Sequence, residues 1–182
     1  MRKILNAIYL GSGVISGFFL FGIALFVLLQ VGANVIDSLI SFVTGEPLGI
    51  MIPSYAQFAG YFLAASTFMA LAYTLRSGAH IRVNLLITNF RQRARRIAEI
   101  LCSFIGLISS AYFTWFAIDL CLESYKYGDV AVGMVPIPLW IPQISMALGL
   151  FVLTIAFIDL FVFLLLWSIP EYITVNENID FE

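Results

Sequence analysis

"ILNAIYLGSGVISGFFLFGIALFVLLQVGANVI" fills Ile4–Ile36 without one charged residue. A helix needs about 20 mainly apolar residues to cross the hydrocarbon of a bilayer. This stretch is long enough to do so with residues to spare. Arg2 and Lys3 before it, and "VGA" at Val31–Ala33 near its end, mimic a secretory signal. A signal's apolar region has only about 7–15 residues, whereas this one is mainly apolar from Ile4 to Leu29. The expectation is an uncleaved signal-anchor helix.

Three further charge-free gaps follow: Glu46 to Arg76, Glu99 to Asp119 and Asp129 to Asp159. The chain has 182 residues, of which 62% are hydrophobic and 11% charged. Soluble domains carry about 25% charged residues, so lipid is the expected solvent here. The gaps predict an all-α membrane protein with four transmembrane helices in a single domain, 1–182. The spans fall at about 6–30, 53–75, 97–122 and 139–167.

Orientation follows from where the arginines lie. Arg76, Arg82, Arg91, Arg93, Arg95 and Arg96 crowd between spans two and three, whereas Lys126 alone lies between spans three and four. The positive-inside rule then puts the arginine-rich segment and both termini in the cytoplasm. Trp140 and Trp167 bracket span four, about 40 Å of helix apart, as interfacial anchors do.

The link "GANVIDSLISFVTGEPLGIMIPSY" (Gly32–Tyr55) is apolar but interrupted. Val35, Leu39 and Phe42 fit one helical face. Span one therefore either runs on towards Ser41, or a short helix lies in the outer interface. "GEPLG" at Gly45–Gly49 reads as a turn. A second amphipathic segment is expected at Ala79–Arg91, where His80, Asn84 and Arg91 share one face. Gly13 and Gly17 form a Gly-x-x-x-Gly pair that permits close helix approach.

Chemistry is sparse. The single histidine cannot supply both axial ligands of a haem, and Cys102 and Cys121 alone make no metal or iron–sulfur site. About 28 Å of one helix separates them, which excludes a disulfide within the chain. There is no phosphate-binding glycine loop and no nucleophile elbow. The arginine segment has a topological reason to be basic, so no nucleic-acid partner is expected. No enzyme activity and no cofactor are expected either, and lipid is an obligatory neighbour.

Asp159 lies inside span four, and an intramembrane carboxylate marks a functional or structural site. Its structural partners would be Arg76 or His80. Asp119 and Glu123 share a helix face at the outer end of span three, and Glu99 sits beside Arg95 and Arg96.

"FLAASTFMALAYTLRSGAHIRVNLL" (Phe62–Leu86) resembles the small membrane subunit of tripartite ATP-independent periplasmic (TRAP) transporters, DctQ type. The matching positions are Leu75, Arg76, His80, Ile81 and Val83. A second block, "YGDVAVGMVPIPLWIPQISMALGL" (Tyr127–Leu150), carries Pro138, Trp140, Ile141 and Gly149. Asn84 departs from the pattern, which commonly has aspartate there.

The resemblance implies an accessory subunit of a sodium-coupled importer of organic acids, in the bacterial inner membrane. It implies a stable heteromer with a large elevator-type membrane subunit, which carries the substrate and sodium sites, and a transient periplasmic substrate-binding protein. In that reading Arg76, His80, Asn84 and Asp159 make interface or structural polar contacts. The outer turn with Pro136, Pro138 and Trp140 lies near the binding protein, and Gly13 and Gly17 pack helices. Two other readings fit four apolar spans: a membrane anchor of a redox enzyme, and a small homo-oligomeric channel or exporter.

Overall fold

The computed structural model describes residues 2–46, 49, 53–77 and 92–166, with the side chains of 2 and 92–95 left aside. Four helices account for nearly all of them: α1 (Arg2–Thr44), α2 (Tyr55–Arg76), α3 (Gln92–Tyr127) and α4 (Trp140–Leu166). Each is long and apolar enough to cross a membrane. The described residues contain no strand, only an isolated antiparallel bridge between Val130 and Pro138.

The helices extend past several of the boundaries read from charge. α1 does so most: its 43 residues make about 64 Å of unbroken helix, and it stops at Thr44 rather than near Gln30. No proline interrupts it, and a helix entering water loses nothing by continuing if its faces suit water. It ends at Gly45, whose φ of +81° is the left-handed conformation glycine adopts after a helix. The Gly45 N–H donates to the Ser41 carbonyl at 2.9 Å. The Gly49 N–H then donates to Asp37 Oδ1 at 2.9 Å, which ties Gly49 to α1.

α1 packs against α2, α2 against α4, and α4 against α3, while α1 reaches α4 only marginally. The row order is therefore α1–α2–α4–α3. Two antiparallel hairpins meet through α2 and α4, which run parallel to each other. One end of the row holds Lys3, Arg76 and Arg96 and is called here the basic end. The distal end holds the α3–α4 turn.

The core follows the row. Tyr9 of α1, Ala72 and Leu75 of α2, and Leu150, Leu153, Leu160 and Leu164 of α4 form one buried cluster. Lipid tails are as apolar as leucine, so close packing and hydrogen bonds hold such helices together rather than apolar burial. Small residues supply the closeness. A Cβ at Gly149 would overlap the Phe68 backbone, and one at Gly106 would overlap the Phe157 ring. Hydroxyls supply the bonds: Ser16 to Ser66 at 3.1 Å joins α1 to α2, and Thr114 to Thr154 at 2.9 Å joins α3 to α4.

Candidate functional site

Polar groups gather at both ends of the row. At the basic end, Arg76 is the last residue of α2, where a cation complements the helix dipole. Its Nη1 stands 3.8 Å from Oδ2 of Asp159, about two turns inside the end of α4. Both side chains are roughly 30% exposed, so the pair is half-sheltered. At 3.8 Å it is an ion pair without a hydrogen bond between those two atoms.

Arg96 of α3 completes this end. Its Nη2 donates to the carbonyls of Leu164 (3.2 Å) and Leu165 (3.3 Å). The last carbonyls of a helix have no partner within it, and a guanidinium suits them in both charge and geometry. Glu99, one turn further along α3, is buried. The three helix ends are thus tied by charge: α2 to α4 through Arg76 and Asp159, and α3 to α4 through Arg96.

At the distal end the chain turns between Gly128 and Leu139. The Ala131 N–H donates to the Ile137 carbonyl at 2.8 Å, and Leu139 N–H to the Asp129 carbonyl at 2.9 Å. The turn leans on the start of α2. The Val135 N–H donates to Ser54 Oγ at 3.3 Å, and Gly133 lies so close to the Gln57 side chain that a Cβ would overlap it. Ser54 has a φ of 58°, a conformation disfavoured for a residue with a side chain. Its hydroxyl serves the turn rather than capping α2.

Trp140 begins α4 and meets Tyr125 edge-on, ring centroids 5.8 Å apart. Pro142 occupies the first turn of α4, where a proline lacks no needed N–H. Pro138 takes part in the bridge to Val130, and Pro136 is exposed beside it. The tip presents two strongly exposed apolar side chains, Val132 and Met134.

Beneath the distal turn lies a cavity of about 190 Å³, lined by Phe19 of α1, Phe58 and Phe62 of α2, and Ile137, Ile141 and Pro142. Its walls are almost wholly apolar, so it suits a hydrocarbon chain and not an ionised solute. Among the described residues no three His, Cys, Asp or Glu side chains come together.

Of the residues singled out in the sequence, the structure brings Arg76 and Asp159 together. Pro136, Pro138 and Trp140 fall in one turn. Gly13 lies against the Tyr73 ring of α2, while Gly17 faces open space. His80 and Asn84 lie outside the described residues. Sequence reasoning missed Arg96 as a cap for α4, because its partners are main-chain carbonyls that leave no mark in side-chain spelling. It missed Ser54 likewise, because its partner is the main-chain N–H of Val135.

A family model described as "Tripartite ATP-independent periplasmic transporters, DctQ component" matches residues 48–166. The match holds both blocks that carried the resemblance and begins after α1. Comparison with curated proteins and with solved structures gives no match. More than half of the chain is covered, and both the ion-paired basic end from Arg76 and the distal turn lie within it: this chain belongs to the DctQ component family of TRAP transporters.

Proposed function

We propose that the chain is the static small subunit of a sodium-coupled importer of organic acids in the bacterial inner membrane, bracing a large elevator-type subunit. The basic end lies in the cytoplasm, and the distal turn faces the periplasm near a transiently docked binding protein. Arg76 and Asp159 keep the two central helices in register, and His80 and Asn84 make polar contacts at the subunit interface.

One observation carries the bracing role. The described polar groups at membrane depth are largely used inside the row, in the Ser16–Ser66, Thr114–Thr154 and Arg76–Asp159 contacts. The outward faces are broad and apolar: Phe18 and Phe21 on α1 and Tyr112, Trp115 and Phe116 on α3 are all exposed. A membrane protein built for interfaces rather than for a solute pathway has this distribution.

The test is reconstitution. Proteoliposomes holding the large subunit and this chain, supplied with the binding protein, take up an organic acid when a sodium gradient is imposed. Without this chain uptake falls to background. Undiminished uptake in its absence would overturn the proposal.

A further inference from the structure

α1 changes character along its length. From Ile4 to Leu29 it is apolar nearly all round. The face that packs on α2 there includes Tyr9, Ser16 and Phe26. α2 begins at Tyr55, and the stacked rings of Phe26 and Phe58 fix its register against α1. Gln30 therefore lies near the level at which α2 starts, and α1 continues for fourteen residues past it, about 21 Å.

In this projection the former packing face becomes polar. Gln30, Asn34, Asp37, Ser41 and Thr44 succeed one another at helical spacing. Gln30 Nε2 donates to Asn34 Oδ1 at 3.1 Å, and Asp37 accepts from the Gly49 N–H. That switch is what the loss of α2 as a neighbour demands. The opposite face does not switch. Val14, Phe21, Leu28, Val35, Leu39 and Phe42 follow one stripe from the spanning part into the projection, each 53–90% exposed. Gly17 and Ala24 lie within the same stripe, and both are exposed. A helix that simply entered water would become polar on both faces.

Lipid does not account for the stripe beyond Gln30. Ile4–Leu29 is about 39 Å of helix, and tilted by about 40° it still covers about 30 Å of hydrocarbon. At that tilt the projection rises a further ~16 Å, past a headgroup layer of about 5–8 Å. α1 is held along α2 and cannot lie flat. Helices that rest on lipid carry Lys or Arg on their polar face, whereas residues 31–44 have Asp37 as their one charge. The apolar stripe therefore requires protein.

A transient soluble partner fits it poorly, because an apolar surface left bare between encounters is an aggregation hazard, whereas a permanent subunit covers it continuously. From Val14 to Leu28 the 3–4 spacing, with Gly17 and Ala24 alternating with larger residues, is that of a helix meeting another helix.

We infer that the α1 stripe from Val14 to Phe42 is the seam for a helix of the large membrane subunit, and that this helix also projects beyond the distal membrane surface to cover Leu39 and Phe42. The inference rests on the subunit reading above and names the surface through which it acts. α1 precedes the matched residues, so the family match does not supply this seam.

The experiment places a photo-crosslinking amino acid singly at Leu28, Leu39, Phe42, Asn34 and Thr44 in the complex within native membranes. Adducts with the large subunit from Leu28, Leu39 and Phe42, and none from Asn34 or Thr44, are expected. The double variant Leu39→Ser, Phe42→Ser then lowers recovery of the large subunit at least about tenfold, as loss of anchoring apolar side chains does. Its own yield and helicity stay unchanged, because both positions are solvent-facing in the isolated chain.

A large subunit that co-purifies but gives no adduct at Leu39 and Phe42 overturns the seam and leaves the subunit reading standing. Adducts there only with lipid, with the binding protein or with a second copy of this chain overturn it equally. Failure of any large subunit to co-purify overturns the subunit reading itself.

Discussion

Arg76 on α2 and Asp159 on α4 stand 3.8 Å apart and join the two central helices, which run parallel. Parallel neighbours cannot be linked by a short turn, so their register depends on side chains. This pair and the Gly149–Phe68 contact supply it.

Removing one charge takes from the other the partner it has here, which costs more than removing both. Arg76→Ala and Asp159→Ala each destabilise the chain by about 1–3 kcal/mol, a range lowered for partial exposure. The double variant loses less than the sum, with a coupling of about 1 kcal/mol. Denaturation in detergent of the four proteins measures it. Strict additivity would show that the pair does not act as a unit.

Gly149 and Gly17 are both glycines in spans, yet they predict opposite outcomes. Gly149→Ala pushes a methyl into the Phe68 backbone and separates α2 from α4, costing about 1–3 kcal/mol. Gly17→Ala meets open space within this chain and leaves its stability unchanged. A loss of complex from Gly17→Ala, with the isolated chain unaffected, would locate the partner on that face.

Arg96 caps the end of α4. Charged hydrogen bonds of this kind are worth about 1.5–3 kcal/mol. Arg96→Gln loosens the last turn of α4, and hydrogen exchange quickens near residues 163–166 while mid-helix amides around Leu153 hold. Faster exchange throughout α4 would assign Arg96 a global role instead.

At the distal end, Ser54→Ala deletes the acceptor for the Val135 N–H and keeps the strained backbone. A cost of about 0.5–1.5 kcal/mol follows, confined to the turn. Spin labels at Val132 and Met134 report greater motion in the variant. Unaltered spectra would show that the Gly133–Gln57 contact alone holds the turn.

Much of this was legible in the sequence. Charge-free gaps predicted four helices, since an unpaired charge in hydrocarbon is costly wherever it falls. Two short blocks, Phe62–Leu86 and Tyr127–Leu150, led to the family that the residue 48–166 match returned. Val35, Leu39 and Phe42 already fitted a helical continuation of span one, and the structure chose it over a separate interfacial helix.

The row order α1–α2–α4–α3, the parallel central pair and the identity of the inward faces came only from the tertiary structure. In water, apolar periodicity marks the buried side of a helix. In lipid both sides are apolar, so periodicity cannot separate a face that meets a helix from one that meets acyl chains. Gly149 against Phe68 and Gly17 against nothing read alike in the sequence. The row separates them, and past Gln30, beyond the level at which α2 starts, α1 is polar on the side that it turns to α2 and stays apolar on the opposite side.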